Sequence, residues 1–69
     1  MASAASLISE LKSGRTLTRS GSDSMNDSLW VDKNGVTYAK YFGEGEWSYE
    51  HFTLEDIEEW KDEGGWIVQ

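Results

Sequence analysis

Asn34-Gly35 stands between two β-prone runs, Ser28 to Lys33 and Val36 to Phe42, and constrains the fold more than any other feature of the chain. Asn-Gly supplies the positive φ values that tight hairpin turns demand, so the two runs are read as an antiparallel hairpin. Its register has two readings. A two-residue loop pairs Val31 with Tyr38, whereas a bulged three-residue loop pairs Trp30 with Tyr38 and Leu29 with Ala39. The second is expected, because it gathers Leu29, Val31, Ala39 and Tyr41 on one face for a core. It also leaves Trp30 and Tyr38 as a cross-strand aromatic pair on the other face.

The rest of the chain supplies little more than partners for this hairpin. Ser3 to Lys12 reads as a short helix capped by Ser3, with Ala4, Leu7, Ile8 and Leu11 spaced by three and four along one stripe. Ser13-Gly14 ends it, and Arg15 to Ser20, alternating around Leu17, suits a first strand. Ser20 to Ser28, "SGSDSMNDS", is polar and turn-rich and reads as an exposed loop. After the charged loop "GEGE", Trp47 to Phe52 is an edge strand or an extended segment, with Trp47 and Tyr49 facing one way. Thr53 then opens a second helix, with Asp56 as the return half of a capping box. Leu54, Ile57 and Trp60 form its apolar stripe, and Gly64-Gly65 stop it. Trp66, Ile67 and Val68 fold back onto the core. The expected fold is α+β: α-β-β-β-α, a three-stranded antiparallel sheet packed by helices on one face.

Sixty-nine residues make one small domain near the lower limit for a single apolar core, and with no cysteine there is no disulfide or thiolate metal site to staple it. "MASAASLISELK" has neither a basic leader nor a long apolar run, so a soluble, cytoplasmic protein is expected.

Charge is unevenly placed. Of the formal net charge of −7, residues up to Phe42 contribute five bases and four acids. From Gly43 onward there is one base, Lys61, against nine acids. A field so polarised repels nucleic acid and membranes and attracts a basic groove on another protein. Catalysis has little to work with: the single histidine, His51, lies between Glu50 and Phe52 with no cysteine near, so no enzyme is expected. Calcium loops are excluded by spacing, since counting from Asp32 the glycine arrives fourth rather than sixth. Glycine-rich phosphate motifs are missing, and no cofactor is expected.

What remains is a carboxylate-rich surface with aromatics on the same elements. Carboxylates along a helix and its adjoining loops can stand where phosphates stand, and arginines of a basic cleft can take them bidentately. The acids that carry this reading are Asp23 and Asp27 in the loop, Glu44 and Glu46 after the hairpin, and Glu55, Glu58, Glu59 and Asp62 on the second helix. Trp30 and Tyr38, or Trp47, are the apolar anchors.

"LISELK" (Leu7 to Lys12), then Thr18, "SGSDS" (Ser20 to Ser24), an apolar strand, Asn34-Gly35 and Tyr38 together resemble the front half of a small phage-encoded type II-A anti-CRISPR protein, an inhibitor of Cas9. The resemblance covers about Leu7 to Tyr38. It implies a short N-terminal helix, a three-stranded sheet and following helices, and a phage or prophage protein acting in the host bacterial cytoplasm. It further implies that the partner is a Cas effector, blocked at the site that reads the PAM duplex. Asp23 is the acidic position carried across. Around the hairpin turn, where the family presents acids, this chain has Asn34 and Thr37, and from Gly43 on it does not align. Another host DNA enzyme (a restriction nuclease, a uracil-DNA glycosylase or RNA polymerase) and a protein-interaction domain without mimicry are the alternatives. Monomer and dimer are both open.

Overall fold

A computed structural model describes residues 6–60 and 65–69. It has an antiparallel sheet and two short helices, so the fold class is α+β. In chain order the elements are α1 (Leu7–Lys12), β1 (Leu17–Arg19), β2 (Asn26–Asp32), β3 (Gly35–Gly43), β4 (Glu46–Phe52), α2 (Leu54–Glu58) and β5 (Ile67–Val68). The sheet runs β4-β3-β2-β1-β5. Five strands replace the expected three: Trp47 to Phe52 pairs fully with β3, and Ile67-Val68 returns to pair with β1.

The helices are shorter than their sequence patterns. Ser6 caps α1 by accepting from the Ser9 N–H at 3.4 Å, while Ser3 and Ala4, assigned to that helix from sequence, lie outside the described residues. In α2 the capping box forms as expected: Thr53 Oγ1 accepts from the Asp56 N–H at 3.1 Å, and Asp56 Oδ2 accepts from the Thr53 N–H at 2.9 Å.

The hairpin forms at Asn34-Gly35, but in neither expected register. Lys33-Asn34 is the loop, Gly35 is the first paired residue of β3 opposite Asp32, and Leu29 pairs with Tyr38. Asp32 fixes this arrangement by accepting from the Asn34 N–H at 2.8 Å and from the Thr37 hydroxyl at 2.9 Å. Gly35 takes φ +114°, and a Cβ there would stand 2.8 Å from the Phe52 carbonyl oxygen. One residue of slip exchanges the two faces of a strand. Tyr38 therefore joins the core, opposite in face to Trp30, which pairs with Thr37. The expected Trp30–Tyr38 surface pair is corrected, as is the core set: Ala39 is buried but on the far face, and Val31 and Tyr41 are not core residues.

The slip is favoured by what it buries. Leu17, Leu29, Val36 and Tyr38 share one face and cluster with Leu11, Ile57 and Trp66, flanked by Leu7, Ile8, Phe52, Leu54, Trp60 and Val68. Tyr38 is the hub. Its ring lies 5.8 Å from Trp60 and 5.7 Å from Trp66, both edge-on, and 6.4 Å from Phe52. Such edge-to-face contacts add to the large area each ring buries, which is how so short a chain builds a core.

Candidate functional site

Two groupings of functional-type side chains emerge, one buried and one exposed. The buried one centres on Asp27, which is only 2% exposed. Its carboxylate accepts from Ser24 Oγ at 2.5 Å, from Tyr38 Oη at 2.7 Å and from Arg19 Nε at 3.4 Å. Arg19 also donates to Tyr38 Oη at 2.9 Å and lies 4.3 Å over the Trp66 ring. Burial alone would raise the Asp27 pKa, but the hydrogen bonds from Ser24, Tyr38 and Arg19, with the Arg19 charge, outweigh it and hold the group below its ordinary value. Tyr38 is pushed up to about 12, by burial first and by its bond to Asp27 second. These groups are mutually satisfied and face inward. Asp27, expected as a loop acid open to a partner, is a structural carboxylate of β2, and Tyr38, 7% exposed, is no surface anchor; both expectations are corrected.

The exposed grouping follows the chain from the β3–β4 turn through β4 into α2. Glu44, Glu46, Glu50, Glu55, Glu58 and Glu59 are all exposed, and among the described residues none is in an ion pair. Between Tyr41 and Trp60 the chain has neither lysine nor arginine. Glu46 and Glu50 lie on one side of β4, separated by about 13 Å at the usual strand rise. The whole seven-residue strand spans about 20 Å, the axial length of about six base pairs. Trp47 and Tyr49 lie on its other side, 44% and 55% exposed, their rings nearly parallel at 13° with centroids 6.1 Å apart. Tyr41 supports Trp47 from β3 at 4.7 Å.

Glu44 is held there against its backbone preference. The β3–β4 hairpin turns through Glu44-Gly45, with φ of 54° and 77°. Positive φ at both turn positions favours Asn-Gly or Gly-Gly, and an ordinary side chain costs about 1 kcal/mol in that region. Glu44→Asn should therefore raise the unfolding free energy by about 0.5–1 kcal/mol in a urea titration. If Glu44 belongs to the binding surface, the same variant binds the partner more weakly, and the two changes move in opposite directions.

Of the other sequence candidates, Asp23 is 68% exposed and ion-paired to Lys40 at 3.7 Å, on the core-face side of the sheet. Trp30 is half-buried on the far face, with Trp47. Asp62 lies outside the described residues. Tyr49 and Glu50 belong to the exposed grouping but were not among the sequence candidates; the strict alternation of Glu46 to His51 is the signal that identifies both. Among the described residues there is no cluster of acids or histidine suited to a metal ion, and no helix is long and apolar enough to cross a membrane. Compared with known proteins, the chain matches no family model, no curated protein and no solved structure.

Proposed function

We propose that this protein is an acidic, nucleic-acid-mimicking inhibitor that occupies a basic DNA-binding site, the PAM-reading surface of a CRISPR effector nuclease such as Cas9, and blocks target recognition. The observation that carries this reading is the set of exposed glutamates from Glu44 to Glu59 along a turn, an edge strand and a helix, none of them in an ion pair among the described residues. Apart from Glu55 at the positive end of α2, an isolated domain gains little from such a row: like charges repel one another, and the core is built without them. A basic cleft neutralises them with its lysines and arginines, as it does the phosphates of DNA. The resemblance over Leu7 to Tyr38 supports Cas9 as the effector, and through it a phage protein acting in the bacterial cytoplasm.

The test is competition under varied salt. Guide-loaded Cas9 should retain the protein at about 50 mM salt, a PAM-containing duplex should displace it, and affinity should fall by orders of magnitude towards about 500 mM. Binding that is unaffected by salt and by the duplex would exclude mimicry. Capture of a different DNA enzyme from a host lysate, released by DNA, would keep the mechanism and change the target.

A further inference from the structure

β4 closes one side of the sheet, and among the described residues nothing pairs with its outer edge. Edge strands offer free N–H and C=O groups to any extended chain, and proteins usually guard them with short length, lysine, proline or a bulge within the strand. β4 is seven residues long, has no lysine or proline, and is exposed from Glu46 to His51. Among the described residues its guards are Glu46 and Glu50. These discriminate by sign. A second copy of the chain arrives with a net charge of −7 and is repelled, whereas a cationic strand is drawn in.

We infer that the free edge of β4 is a docking site for an arginine-bearing extended segment of the partner, which adds to the sheet as a further strand. This rests on the acidic-inhibitor reading and specifies what the basic partner inserts. Strand addition supplies main-chain hydrogen bonds, and alternate side chains then meet two different surfaces. On one side guanidinium groups lie against the exposed rings of Trp47 and Tyr49, which are already held nearly parallel. On the other they meet the carboxylates of Glu46 and Glu50. Lysine satisfies the second surface but stacks poorly on the first, so arginine is the favoured cation.

A short blocked peptide with arginine at consecutive positions, so that guanidinium groups project to both faces of the added strand, serves as the probe, titrated into the intact protein and followed by amide NMR and hydrogen exchange. The expected result is shifted and protected amides along Glu46 to Phe52. Methylating alternate backbone nitrogens of the peptide, replacing its arginines by lysine, or introducing Trp47→Ala with Tyr49→Ala should each weaken binding by about tenfold. Both aromatics are exposed, so the double variant should fold, and the methylated peptide tests strand addition without altering the protein. If methylation and the double variant leave affinity unchanged while the shifted amides lie around Glu55 to Glu59, the edge is not the site, although the acidic reading stands. If the peptide shifts no amide at low salt, the edge inference is overturned. The acidic reading fails separately, on the salt and duplex competition with guide-loaded Cas9.

Discussion

Asp27→Ala should lower the unfolding free energy by about 3 kcal/mol, a large share of what a domain of this size possesses. The substitution removes the carboxylate that Arg19 Nε contacts and deprives the Ser24 and Tyr38 hydroxyls of their acceptor. Removing the shared acceptor of a buried network costs more than its hydrogen bonds contribute, because the donors left behind stay desolvated. The midpoint of thermal unfolding should fall by more than about 10 °C. Asp27→Asn separates charge from shape. The Asp27 pKa is depressed in the folded state, so its contribution is fully present above the unfolded carboxylate value near 4 and is lost as pH falls through the lower, folded value. The wild-type protein should therefore lose stability below about pH 4 more steeply than Asp27→Asn, in urea titrations across the acid range. Equal acid slopes would mean that Asp27 is not a depressed, ion-paired group.

Why this network escaped the sequence is a matter of distance along the chain. Asp27 sits in "SGSDSMNDS", whose composition describes an exposed loop, and its partners Arg19 and Tyr38 come from neighbouring strands. Only the strand register brings the three together, and the register could not be read because the loop chemistry and the apolar pattern pulled apart. Asn-Gly favoured pairing close to the turn, while Leu29, Ala39 and Tyr41 suggested a face that excludes Tyr38. The decisive quantity was the ring contacts of Tyr38 with Phe52, Trp60 and Trp66, which no local pattern contains. Local devices were legible: the hairpin at Asn34-Gly35, the Thr53–Asp56 capping box, and Leu17 as an inward strand residue. β5, with two residues, is too short to show a period. The exposed acids were legible because charge density needs no register.

On the proposed function, reversing Glu55, Glu58 and Glu59 to lysine should abolish inhibition while sparing the fold. The three residues are exposed on α2 and unpaired among the described residues, so the reversal breaks no contact. Glu55 lies in the first helical turn, where an anion suits the positive end of the helix, and its reversal costs about 0.5 kcal/mol. Glu58 and Glu59 close the same helix, where the negative end prefers cations and the native sequence offers none. Lysine there returns a similar amount, so the unfolding free energy should stay within about 1 kcal/mol of the native value. Each reversal changes the charge by two, taking the formal net charge from −7 to −1. Affinity for a basic cleft should fall on the order of 100-fold to 1000-fold at low salt, chiefly through a slower on-rate, and the slope of affinity against salt should flatten. Stopped-flow association with guide-loaded Cas9 measures both. Two glutamates at a helix end that favours lysine are hard to attribute to stability. If the triple variant inhibits as well as the native protein, those carboxylates serve solubility alone and the acidic row ends at Glu50.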